Sequence, residues 1–213
     1  MNIEELFRRL SKGELSNLSL AQGQSGSIQE DKQEKILEHT REALLRLYSQ
    51  FILREEEVVI VPNGTKTRYN LPENCIRPLE IWDAMNCPVP LNNQEDRYSV
   101  FTPAPGVLQI PLFKAGQTYS AVTVVYQAAH EPIGSLDDPD SNQEIVLPLV
   151  LEAALTAYVA HLEYAGMNSQ EHQQISANHL GKYNAIVQDV IDKDLVSSSR
   201  IQGNSRFERN GFV

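Results

Sequence analysis

The chain has 213 residues, and 18 Lys and Arg against 28 Asp and Glu give a formal charge of −10 with its five histidines neutral. Hydrophobic residues at 41% and charged residues at 22% are globular values and exclude wholesale disorder. An acidic chain without a dense basic block is a poor binder of nucleic-acid phosphates, and its two cysteines cannot build a disulfide framework or a four-thiolate zinc site. No apolar run approaches the ~20 residues of a membrane span. The opening MNIEELFRRLSKGE is charged early and has no apolar h-region, so no signal peptide is expected. The expectation is a soluble chain made inside the cell.

Ile3, Leu6, Phe7 and Leu10 mark a short amphipathic helix, followed by a Ser-, Gln- and Gly-rich stretch over 16–32 that reads as a loop. From about Gln29 to Ile52, the residues Ile36, Leu37, Leu44, Leu47, Tyr48 and Phe51 recur every three or four positions. That spacing lines one face of a helix, with Glu34, Lys35, Glu38, Arg41 and Glu42 opposite or flanking it. Ser27 and Glu30 have the spacing of a capping box.

The period then changes. Short runs at 58–62, 67–72, 78–85, 97–101, 106–111 and 117–128 are punctuated by Pro and Gly, which predicts five or six antiparallel strands in a small sheet or sandwich. Asn63-Gly64 between two of the runs predicts a hairpin turn. In the last run, Thr118, Ser120, Val122, Val124 and Tyr126 share one face, and Tyr119, Ala121, Thr123 and Val125 the other. An acidic loop over 131–144 leads back to helices.

Pro148 suits the first position of the next helix, where a missing N–H costs nothing. Leu151, Leu155, Tyr158, Val159 and Leu162 then form an apolar stripe, interspersed with Ala153, Ala154, Ala157 and Ala160. These small residues permit close approach of another helix, from this chain or a neighbouring copy, so the stripe is a candidate packing surface. After a break at Gly166–Ser169, Ile175, His179, Tyr183, Ile186, Val187, Val190 and Ile191 define a second helix and complete a helical hairpin. The fold class expected is α+β. A helical body over 1–54 and 145–196 is interrupted by an antiparallel β insertion over 55–144. The closing stretch 197–213 has neither period. It carries Arg200, Arg206 and Arg209 against Glu208 alone, a formal +2 opposite in sign to the rest, and ends near Phe207 and Phe212.

No catalytic frame emerges. There is no Gly-x-Ser-x-Gly elbow, and Cys75 and Cys87 read as small semi-apolar residues at strand ends. His39, His130, His161, His172 and His179 include no His-Glu-x-x-His, and His172 and His179 stand two helical turns apart, too far to share one ion. Asp138, Asp140, Asn142 and Glu144 imitate the start of a calcium loop, but Gln143 stands where Gly is required and Leu149 where the closing Glu belongs. The stretch around Gly23–Gly26 lacks the Lys-Ser/Thr of a phosphate-cradling loop. The residues therefore point to an interaction protein, not an enzyme, with no catalytic, cofactor or metal site.

An ordered set of phrases carries a resemblance. Ala-Leu-Leu-Arg-Leu-Tyr-Ser-Gln-Phe (43–51) closes the long helix; Tyr-Asn-Leu-Pro (69–72), Ile-Pro-Leu (110–112) and Val-Val-Tyr-Gln-Ala (124–128) follow among the strands. Ile-Val-Leu-Pro (145–148) then leads into Ala-Leu-Thr-Ala-Tyr-Val-Ala (154–160), and Lys-Tyr-Asn (182–184) falls in the last helix. Over about residues 28–195 the chain resembles the head-to-tail connector adaptors of tailed bacteriophages, the tail-tubular-A-like rings beneath the portal. The resemblance implies a structural virion protein at the head–tail interface, made in the host cytoplasm. It implies self-association into a ring, commonly twelvefold, with a portal protein on one side and a tail nozzle or tube protein on the other. DNA would pass through the lumen without specific binding. It also implies an extended carboxy-terminal arm that docks on the portal or a neighbouring subunit, here Arg200, Ile201, Arg206, Phe207, Arg209, Phe212 and Val213. The alternatives are a tail-tube or tail-completion protein and a regulatory binder outside the virion.

Overall fold

In a computed structural model, residues 1–16, 18, 28–112, 118–133 and 144–197 are described. The fold is α+β, with four helices and two three-stranded antiparallel sheets among those residues. Two compact units divide the chain: Met1–Gln50 with His130–Val196, and Phe51–Ala129 joined by Ser197. These divisions differ from the sequence boundaries at 54/55 and 144/145. His130 and Ile133 belong with the helices, because Tyr48 meets the His130 ring at 5.3 Å and Arg41 donates to the Ile133 carbonyl.

In the helical unit, α1 (Ile3–Lys12) buries Ile3, Leu6, Phe7 and Leu10, and Asn2 caps it by accepting from the Glu5 N–H. The long helix α2 (Glu30–Gln50) buries the face expected of it, Ile36, Leu37, Leu44, Leu47 and Tyr48. Phe51 is also buried but lies just beyond the helix end. Ser27, expected to form a capping box with Glu30, lies outside the described residues.

Helix α3 (Leu149–Ala165) starts one residue later than its proline suggests. Pro148 has ψ 139°, outside the helical range, and its carbonyl accepts from the Leu151 N–H, so it caps the helix and does not begin it. Leu151, Leu155, Tyr158 and Val159 are buried, and Leu162 is half-buried; Ala154, Ala157 and Ala160 are buried as well. An apolar helix covered on nearly all sides is a core helix. Helix α4 (Gln170–Asp192) is capped by Ser169 and packs Ser176, Tyr183, Val187 and Val190 inward. Ile191, expected on that face, is 42% exposed, because the adjacent Val190 already fills the seam and a step of one residue turns the side chain outward.

Contacts fix the helix directions. Lys35 and His39 meet Glu163, Arg46 meets Tyr158, and Tyr48 donates to the Val146 carbonyl, so α2 and α3 run antiparallel. His161 meets Ser176 and Tyr158 meets Tyr183, which makes α3 and α4 the expected antiparallel hairpin.

In the β unit, β1 (Glu55–Ile60) and β3 (Cys75–Asp83) flank β6 (Val122–Ala128), while β2 (Arg68–Asn70) and β4 (Phe101–Ala104) flank β5 (Val107–Gln109). Ile60, Ile81, Val122 and Val124 from the first sheet share one core with Leu71, Val100, Leu108 and Ile110. β6 is central and nearly all buried, which explains why both of its faces are apolar. Pro78 lies in the edge strand β3 beside a register shift, where a residue that cannot donate is tolerated.

Two strand expectations change. Asn63-Gly64 is a turn, with Gly64 at φ 73° and Asn63 Oδ1 accepting from the Thr65 and Lys66 N–H groups. It does not close a hairpin, because β1 and β2 pair in different sheets. The run 97–101 starts as a turn in which Asp96 Oδ1 accepts from the Tyr98 N–H, and the strand begins only at Phe101.

Candidate functional site

The arm residues Arg200, Ile201, Arg206, Phe207, Arg209, Phe212 and Val213 lie outside the described residues, as do Asp138, Asp140 and Asn142. The candidate packing residues Leu151, Leu155, Tyr158 and Val159 lie within the helical unit's own core. They serve helix packing inside the subunit and offer no surface to another copy. What α3 leaves open is its beginning: Val146, Leu149, Val150 and Ala153 are exposed, Leu149 to 81%.

Ion pairs and aromatic contacts hold the helices together. Glu163, almost fully buried on α3, receives Lys35 Nζ at 2.9 Å and stands 3.2 Å from His39 Nδ1. Burial works against its charge, but His39 and Lys35 outweigh that cost and hold the carboxyl below the usual range. Arg9 reaches the buried Glu152 of α3 at 2.6 Å. Arg46 of α2 lies 4.9 Å from the Tyr158 ring centroid and 5.5 Å from that of Tyr183, so the basic-aromatic stretch at 45–48 packs at a core edge. The Tyr183 hydroxyl donates to Gln50 at 2.7 Å.

The histidines lie at helix contacts. His172 and His179, two turns apart on α4, stand on either side of one residue: their rings lie 5.8 and 5.5 Å from that of Tyr164. His179 also pairs with Glu14 at 3.2 Å, and burial lowers its pKa despite that carboxylate. Ser176 Oγ lies 2.8 Å from His161 Nδ1, a distance that suits a nucleophile and its base. The hydroxyl is buried, however, and donates to the His161 carbonyl at 3.0 Å, so the pair closes the α3–α4 seam. Among the described residues, no group of three or more His, Cys, Asp or Glu is placed to hold a metal ion.

The β unit presents a different surface. Directly opposed residues in a sheet share a face, so the register defines rows across its outer side. Val59, Thr123 and Trp82 form one row, Glu57, Val125 and Glu80 the next, and Glu55, Gln127 and Arg77 a third, of which Val125 and Gln127 are buried. Val59 is 62% exposed and Val61 69%, while Trp82 is half-buried. An apolar row therefore borders an acidic one. Sequence reading placed Thr123 and Val125 on one face of their strand, but which strands stand beside it was not legible. On the core side, Glu56 accepts from Tyr126 and Asn74 and pairs with Arg54 at 2.5 Å. Those hydrogen bonds lower the Glu56 pKa, while burial and the same carboxylate push the Tyr126 hydroxyl up to about 12. Cys75, at the start of β3, is likewise pushed up to about 11 by burial, which disfavours the reactive thiolate.

The described residues thus present a helical unit with a spliced-in β unit. Neither a protein-family model nor a curated protein sequence matches the chain.

Proposed function

We propose that this chain is a structural ring adaptor of a tailed bacteriophage, joining the portal to the tail and lining the channel for genome passage. The observation that carries the reading is the splice. The chain leaves a helical unit at Gln50, builds two small sheets over Phe51–Ala129, and returns at His130 to complete the same helical unit. The phrases behind the resemblance sit at its joints: 43–51 ends α2, 124–128 lies in β6, and 145–148 leads into α3.

Physical chemistry is compatible with the role. A duplex slides past a surface that does not neutralise its phosphates, and a chain of charge −10 has few groups with which to do so. No residue is assigned a catalytic role; the partners are other copies of the chain, a portal and a tail protein. The residues after Ser197 serve as the arm toward the portal, their arginines pairing with acidic partner surfaces through charge-assisted hydrogen bonds.

Mixing the purified chain with its portal and imaging the product tests the reading. A stable ring on the portal is expected, and its absence refutes the proposal. Deleting the residues after Ser197 should leave the body folded and abolish attachment. Labelled particles imaged with the protein at the far end of the tail favour a tail-completion protein instead. Absence from purified particles by mass spectrometry favours a regulatory binder.

A further inference from the structure

Gly64 follows Asn63 in the turn between β1 and β2, and the two hold the components of an intramolecular reaction. Asn63 is exposed, so water and hydroxide reach its carboxamide. Its Oδ1 accepts from the Thr65 N–H at 3.2 Å, the Lys66 N–H at 2.9 Å and the Thr65 hydroxyl at 3.2 Å. Gly64 stands at φ 73°, and no Cβ shields its nitrogen. Among the described residues the Gly64 N–H donates to no group, so this nitrogen is uncommitted. Tyr69 braces the turn: the Asn63 N–H donates to its hydroxyl at 3.2 Å, and that hydroxyl donates to the Lys66 carbonyl at 2.6 Å.

Nucleophilic attack on a carboxamide carbon places negative charge on its oxygen, and donors already aimed at that oxygen lower the barrier. The turn supplies three of them at Asn63 Oδ1, while the neighbouring backbone nitrogen is the nucleophile. Asn63 and Asn210 are the two asparagines followed by Gly, and Asn210 lies outside the described residues.

We propose that Asn63-Gly64 is a self-modification site, whose substrate is the chain itself and whose co-reactant is water. The Gly64 nitrogen gives up its proton to hydroxide and attacks Asn63 Cγ. The new N–Cγ bond forms, the carboxamide C–N bond breaks, and Nδ2 takes up a proton and leaves as ammonia. One water then opens the cyclic imide. Cleavage of the N–Cγ bond gives Asp, and cleavage at the Asn63 main-chain carbonyl gives isoaspartate. The balance is water in and ammonia out, with no oxidant or reductant. Asp keeps an acceptor for the Thr65 and Lys66 N–H groups and adds a negative charge. Isoaspartate inserts a methylene into the main chain and displaces those donors. The β unit therefore ages into covalent forms that differ in charge and in turn geometry. This inference concerns the chain alone and stands apart from the portal reading.

The full chain is incubated at mildly alkaline pH, folded in buffer and unfolded in urea. Peptide mass spectrometry follows the NH2-to-OH mass change at residue 63 separately from residue 210, and methyl transfer by an isoaspartyl methyltransferase counts isoaspartate. Conversion at Asn63 in the folded chain is expected to be at least as fast as in urea. Thr65→Val removes one donor to Oδ1 from an exposed position, and should slow the folded reaction by about threefold, well under the ~100-fold loss of such a donor in a dry enzyme site. The same substitution should leave the rate in urea unchanged. Slower conversion in the folded chain than in urea overturns the proposal, because the turn then protects the pair. Equal folded rates for Thr65→Val and the parent chain overturn it as well. Portal attachment with a protected Asn63 removes this inference alone; conversion without attachment removes the adaptor reading alone.

Discussion

His39 Nδ1 faces Glu163 Oε2 across the α2–α3 seam at 3.2 Å, and both atoms are buried without another hydrogen-bond partner among the described residues. Lys35 occupies the second carboxylate oxygen, so one carboxylate ties two residues of α2 to α3. Because the folded carboxyl is held below its usual range, its contribution to stability is present at neutral pH and lost as pH falls through the folded value. Glu163→Gln should therefore cost about 1–3 kcal/mol at pH 7, a range set by the half-exposed Lys35 that is left behind. Urea unfolding at pH 7 and pH 4 checks it: the gap between the two proteins should narrow at the lower pH.

His179 adds to the same acid limb of the pH profile, beginning at higher pH. Burial disfavours its protonated form, so the unfolded chain takes up this proton more readily than the folded one. Stability should then fall as pH drops below about 6.5, the ordinary histidine value, until the lower folded value is passed. His179→Gln should flatten that slope. Melting temperatures at half-unit pH steps from 7.5 to 5 measure the change in slope separately from any constant loss of the Tyr164 contact; an unchanged slope refutes the assignment.

Helix α3 offers a paired test of burial. Leu155 is fully buried, so Leu155→Ala should cost about 2–5 kcal/mol through lost contacts and a residual cavity, and Leu155→Asp more. Leu149, on the same helix, is 81% exposed, and Leu149→Ala should stay within about 0.5 kcal/mol. Denaturant midpoints of the three variants, taken at constant slope, decide the matter.

Gly64 is held at φ 73°, a conformation an L side chain adopts only with strain. Gly64→Ala should destabilise the chain by about 1 kcal/mol, while Asn63 keeps its turn hydrogen bonds. Thermal unfolding of the variant at neutral pH measures the loss.

The helices were legible because their signal is local. Ile36 to Tyr48 and Leu151 to Val159 repeat at the helical period, and each set is buried. The β unit was legible as strands but not as sheets. Asn63-Gly64 suggested a hairpin from two residues, yet sheet membership depends on β6, some sixty residues away in sequence. Ile191 shows the same limit on a smaller scale, since one apolar residue more than the seam can hold must face out. For the candidate site, the α3 stripe was legible as apolar, but only the fold shows that Leu151, Leu155, Tyr158 and Val159 are buried within the same chain. The row of Val59, Thr123 and Trp82 draws on three distant segments and had no signature in the linear sequence.

The central position of β6 has a consequence during synthesis. Within their sheet, β1 and β3 each pair with β6 and not with each other, so neither gains its ladder until residue 128 has left the ribosome. Helix α2 waits longer still, because its partner α3 begins only at Leu149. For more than half of translation the nascent chain therefore exposes apolar faces whose partners have not yet been made. Such late-closing contacts make folding slow and aggregation-prone relative to a chain of local hairpins. Folding of this protein is timed by its last third, and a chain stalled before α3 has nothing on which to bury its longest early helix.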